Sequence, residues 1–255
     1  MVFLELSRFS FFFPLIFYFY LLYKNITFQK AIHILGFYLI FSIITEYFGY
    51  FADLNFVYRY VYPIYTLIYF ITISFFYFSI LHTAHLKANI AGFKISLNYK
   101  NIIIVLIATF FIGNYLIQLN SEVFNLLSVS FANYIFIVFT FMYFYYNHHY
   151  SMEKRREDVA IKTAKFHSPE RVIEKITLKN IYEYQWYIIG FAVYSFVTWI
   201  FFMINPFLSI EEAKIAQYIN FLANIIKNLC IATGFFLLLN RRFEKNTVSS
   251  RSSIN

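Results

Sequence analysis

The stretch AQYINFLANIIKNLCIATGFFLLL, residues 216–239, is long enough to cross a bilayer and carries Lys227 close to its centre. About 20 apolar residues at ~1.5 Å rise each cover a hydrocarbon core ~30 Å thick, so a membrane-spanning helix is predicted here. On that helix Gln217, Asn220, Asn224 and Lys227 recur at steps of three and four, forming one polar stripe with Asn228 at its edge. The other faces are apolar. A lysine at mid-membrane is disfavoured by about 2.5 to 3.5 kcal/mol on insertion scales, so the stripe is expected to face protein or trapped water. What shelters this cation is therefore the first question the sequence poses.

Composition extends the reading from one stretch to the whole chain. Of 255 residues, 60% are hydrophobic, 24% aromatic and 13% charged, against about 25% charged in an ordinary soluble domain. The apolar runs are too long for the ~10-residue alternating strands of a barrel, and only six glycines and four prolines interrupt them. An all-α, multi-pass membrane protein is expected. Seven spans are predicted, at about 3–23, 31–51, 60–81, 101–119, 126–146, 185–205 and 216–239. The first lacks a basic leader and a small-residue cleavage site and is expected to be retained. The single cysteine, Cys230, lies inside a span, which excludes an intrachain disulfide and a cysteine metal cage.

With seven spans the termini lie on opposite faces, and the basic residues choose between them. Arg8, Arg59 and Lys214 flank one face; seventeen lysines and arginines flank the other, and Lys227 is inside. The positive-inside rule then predicts an external amino terminus and a cytoplasmic carboxyl terminus, in a cytoplasmic membrane. It also accounts for the net charge of +8 without nucleic acid. The long connector 147–184 falls on the cytoplasmic side. Within it Ser168-Pro169-Glu170 reads as a helix start, and Arg171, Lys175 and Lys179 fall at i, i+4, i+8, a basic face for anionic inner-leaflet lipids or for a cytoplasmic protein. The segment 241–255 is polar and expected to be a disordered basic tail.

Chemistry is sparse. Glu46 is the only carboxylate well inside a span, so it is the candidate partner for Lys227, with Ser42 on the same face. Counting ~1.5 Å per residue from the helix ends brings the two charges within a lysine's reach. Glu46, Lys227, Asn220, Asn224, Gln217 and Ser42 then form either a ligand or ion pocket or a buried pair that fixes helix packing. His82, His85, His148 and His149 gather at one boundary, but no acid accompanies them, and no metal site is predicted from them. No serine elbow, HExxH or phosphate loop occurs, so no catalytic residue is assigned. A sensor or receptor-like module is expected, with a small transporter or channel along the same stripe as one alternative. A lipid-acting enzyme using the histidines is the other.

In size, orientation and a lysine in the last span, the chain resembles retinal proteins of the microbial rhodopsin type. It departs from them in having Ala223 four residues before Lys227, no acid in the third span, and a long cytoplasmic connector, and no cofactor is expected. The stretches LKNIYEYQWYIIGFAVY (residues 178–194) and NIIKN (residues 224–228) resemble uncharacterised multi-span membrane proteins of AT-rich bacteria. That resemblance implies a membrane fold and carries no activity.

Overall fold

The computed structural model describes residues 2–24, 30–51, 61–84, 129–145 and 184–252, with the single positions 109, 113 and 148. Every regular element among them is helical. In chain order they are α1 (Val2–Phe9), α2 (Phe12–Tyr23), α3 (Lys30–Phe51), α4 (Tyr62–Ala84), α5 (Val129–Tyr145), α6 (Gln185–Ile204), a short 3-10 turn (Asn205–Phe207) and α7 (Ile210–Ser252). Four stretches are long and apolar enough to cross a membrane: Phe3–Tyr23, Lys30–Phe48, Gln185–Phe207 and Ile210–Asn240. The apolar parts of α4 and α5 are shorter, Ile64–Ile80 and Val129–Tyr145. The expected span at 101–119 lies outside the described residues apart from Thr109 and Gly113, as does nearly all of the connector 147–184.

The surface argues for a membrane as much as helix length does. Phe13, Ile16, Phe141, Phe196, Leu229 and Phe236 are all exposed, while Ser42, Asn228 and Lys227 are buried. A soluble monomer does not place large apolar side chains outward on several helices while burying a lysine and an asparagine. In lipid this arrangement is the favourable one, because the outer apolar groups meet hydrocarbon and the polar groups meet one another.

The first expected span appears as Phe3–Tyr23, divided by a turn at Ser10–Phe11 into α1 and α2. Pro14 has no N–H to give the carbonyl of Ser10, and its ring opposes that carbonyl, so the ladder stops there. Ser10 N–H still donates to Leu6 O at 2.9 Å, and Ser10 Oγ turns back onto Ser7 O at 2.6 Å. The chain resumes as α2 from Phe12. The two outer helices of the last hairpin are continuous. A capping box starts α7: Ser209 N–H and Oγ–H both donate to the Glu212 carboxylate, at 2.9 and 2.6 Å, and Glu212 N–H returns to Ser209 Oγ at 3.4 Å.

The interior is built from rings and the holes that receive them. α7 lies along α6 and against α1 and α2, and α3 lies against α4 and α2. Tyr38, Tyr69, Phe76, Phe136, Tyr187, Phe191 and Phe235 are buried and meet edge to face or tilted, with centroids 5.3–6.3 Å apart. Gly36 leaves the space occupied by the Tyr18 ring, and Gly234 that of the Tyr187 ring. At Gly190 the backbones of α6 and α7 come together, since a Cβ there would lie 2.9 Å from Lys227 O and 2.9 Å from Cys230 Cβ.

Two sequence expectations on α7 change. Its helix starts at Ile210, six residues before the predicted boundary, because Ser209 and Glu212 cap it there. It also runs on to Ser252, where a disordered tail over 241–255 was expected, because residues 240–252 contain no glycine or proline to stop it.

Candidate functional site

Lys227 is 1% exposed, and its ammonium lies among the rings of Phe11, Tyr38 and Tyr194. It donates a hydrogen bond to the Tyr38 hydroxyl at 2.6 Å. The same nitrogen sits 4.2 Å from the centroid of the Tyr194 ring, 4.9 Å from Phe11 and 5.3 Å from Tyr38. Ring faces at these distances attract a cation, and more strongly where water is excluded. The shelter that the sequence demands is thus an aromatic cage.

The expected ion pair between Lys227 and Glu46 does not form; that is a correction. Glu46 accepts instead from Arg8 Nε at 3.2 Å, and Arg8 also reaches Glu5 at 3.3 Å. The reason is register. Because α7 begins six residues early, Lys227 lies about 9 Å further along the helix than reckoned from residue 216. It meets α3 at Tyr38, two turns from Glu46, while α1 brings Arg8 to Glu46 itself. Glu46 and Lys227 act on each other through space without touching. Arg8, read from sequence as a flanking charge, is 79% buried by its side chain (21% exposed) and belongs to the bundle.

The other polar residues of α7 are each taken by a different neighbour. Asn220 Oδ1 accepts from Thr198 Oγ1 of α6 at 2.7 Å, Asn224 Nδ2 donates to Ser7 Oγ of α1 at 2.8 Å, and Asn228 Nδ2 donates to Ser10 Oγ at 2.6 Å. Gln217 is exposed and stands apart from this seam. Ser42 is buried; its hydroxyl bonds to Tyr38 O at 2.8 Å and meets the Tyr65 hydroxyl at 3.3 Å. The seam ends at Asn228. One turn further on, the buried face of α7 is Ile231, Ala232, Phe235 and Leu239.

Sequence reasoning missed the tyrosines. Tyr38, Tyr65, Tyr69 and Tyr194 come from α3, α4 and α6, and their rings form one cluster, Tyr38 on Tyr69 at 5.6 Å, Tyr65 on Tyr69 at 6.1 Å and Tyr69 edge-on to Tyr194 at 6.4 Å, of which Tyr38 and Tyr194 reach the lysine. A signal existed: Tyr38, Ser42 and Glu46 are spaced by four on α3, and Tyr65 and Tyr69 by four on α4. Among the described residues the buried Asn228 Oδ1 has no hydrogen-bond partner. Lys227 likewise gives one of its three N–H groups to an oxygen and offers the others only ring faces. Two N–H groups of the ammonium are thus without an oxygen acceptor, and among the described residues the site holds no nucleophile–base pair.

Among the described residues no three histidine, cysteine, aspartate or glutamate side chains converge on a metal-sized site. His148 is exposed, and the side chains of His82, His85 and His149 lie outside the described residues. Arg171, Lys175 and Lys179 lie outside them too. Comparison of the chain with protein families, curated proteins and solved structures returns no match, so the site alone must argue the function.

Proposed function

We propose that the chain is a seven-span bundle with its amino terminus outside and its carboxyl terminus in the cytoplasm, and that it works as a receptor-like module. Its ligand-responsive centre is Lys227 with Tyr38, Tyr194, Phe11 and the hydrogen-bonded seam of Asn220, Asn224, Asn228 and Ser42. Drawing Arg8 into the bundle leaves only Arg59 and Lys214 on the external flank, which supports the orientation. The two N–H groups of Lys227 that face rings favour a ligand that presents a hydrogen-bond acceptor such as a carboxylate. The response would pass along α6, whose first residues pack through Tyr184 on Phe76 and Tyr187, to the connector 147–184 and the inner-leaflet lipids or protein that Arg171, Lys175 and Lys179 suit.

One observation carries this choice over a transporter or channel: the polar seam enters from one end of α7 and stops at Asn228, with Ile231, Phe235 and Leu239 closing the same face. A conduction path would need polar or wet positions on both sides of Lys227. A cysteine scan of α7 in the Cys230→Ala background tests it. Substitutions at Asn220 and Asn224 should react with a water-soluble thiol reagent applied from outside, and those at Ile231, Phe235 and Leu239 should resist it from both sides. Reaction at the latter three from the cytoplasmic side would replace the receptor reading with the channel.

A further inference from the structure

We propose that α1 is a hinged lid over the Lys227 centre, swinging about Ser10–Phe11 and latched by Arg8 on Glu46, Ser7 on Asn224 and Ser10 on Asn228. The inference rests on the reading of that centre as ligand-responsive and concerns how it is opened.

Three observations support it. First, a weak point is built in: Pro14 has no N–H for the Ser10 carbonyl, so α1 and α2 meet at the turn Ser10–Phe11, where Phe11 keeps helical dihedrals (φ −65°, ψ −24°) but the backbone ladder is interrupted. Second, the hinge residue is itself a wall of the site. Phe11 is 2% exposed and its ring lies 4.9 Å from the Lys227 ammonium, whereas the other walls, Tyr38 and Tyr194, stand mid-helix on α3 and α6. Any swing of α1 that turns Phe11 uncovers one face of the cation.

Third, α1 is held mainly by polar contacts. Of its apolar side chains Phe3, Leu6 and Phe9 are exposed and Leu4 is half-buried, while Ser7 and Ser10 are buried and Arg8 is partly so. The inward contacts are Asn224 Nδ2 to Ser7 Oγ at 2.8 Å, Asn228 Nδ2 to Ser10 Oγ at 2.6 Å and Arg8 Nε to Glu46 at 3.2 Å, with one ring contact of Phe3 on Tyr218. Interhelical hydrogen bonds in membranes are individually weak, and the other helices are anchored by buried rings that α1 lacks. A latch of a few such bonds is the kind that keeps an open form as a minor population which a ligand can select.

The test uses the full chain in lipid nanodiscs, with Cys230→Ala and Phe11→Cys as a single reporter thiol. Labelling by a water-soluble thiol reagent should be slow in this parent. Adding Asn224→Ala with Asn228→Ala removes two latch bonds and should raise the rate about tenfold, the factor expected from two interhelical bonds of average strength. Adding Pro14→Ala restores the missing N–H, stiffens the hinge and should lower the rate. A second reporter, Phe136→Cys on α5, must stay protected throughout. A Phe11→Cys rate unmoved by either change, or one that rises only together with the Phe136→Cys rate, overturns the lid. The scan of α7 reports separately on the receptor reading: a latch-dependent rate with labelling through to Leu239 would leave a lid guarding a channel.

Discussion

Lys227 is best understood as a cation solvated by side chains. The hydroxyl of Tyr38 and the faces of Tyr194 and Phe11 replace water, with no carboxylate in contact. A buried charge of this kind is seldom retained for stability, since an apolar residue of similar volume is commonly neutral or better. Lys227→Met is therefore expected to melt at or above the wild-type temperature in detergent. Tyr38→Phe in the native background should lose about 1–3 kcal/mol, because it leaves the ammonium with ring faces alone, and in the Lys227→Met background it should lose almost nothing. Equal losses in the two backgrounds would show that the 2.6 Å bond has no energetic role. Glu46 belongs to a different unit. Glu46→Gln should couple to Arg8→Gln, by less than ~1 kcal/mol since both side chains are partly exposed, and should couple more weakly still to Lys227→Met, which it does not touch.

Among the helices, the α6–α7 contact decides where Lys227 can go. Gly190 faces the Lys227 carbonyl and the Cys230 side chain so closely that any side chain would strike backbone atoms of α7, which cannot move without the whole helix. Gly190→Val should cost about 1–3 kcal/mol, as overpacking does, with loss of the cage around Lys227. Thermal unfolding followed by intrinsic fluorescence reads this out, and a variant as stable as wild type would mean that α6 and α7 can separate freely here. The length of α7 matters as well. At 43 residues and ~1.5 Å each it measures about 64 Å, so it joins the seam rigidly to the segment beyond Asn240.

For the molecule as a whole, the testable consequence is topology. Reporter fusions at the two ends are expected on opposite faces of the membrane, with the carboxyl-terminal one in the cytoplasm; both on one side would mean an even number of spans. The chain by itself determined the helical class and the apolar runs that suit a membrane. Apolar runs of bilayer length allow only helices whose backbone groups are satisfied internally, and the positions of α2, α3, α6 and α7 follow from that. The stripe at Asn220, Asn224, Lys227 and Asn228 was equally readable, because helical periodicity is a local property. The partner of each polar group was not. That depends on the register between helices, and six residues of extra helix before residue 216 moved Lys227 by about 9 Å, from Glu46 to a tyrosine cage, while a proline-induced break in the first span turned Arg8 inward to take its place. Contacts between distant segments are fixed by how the helices stack, and only the folded bundle contains that information.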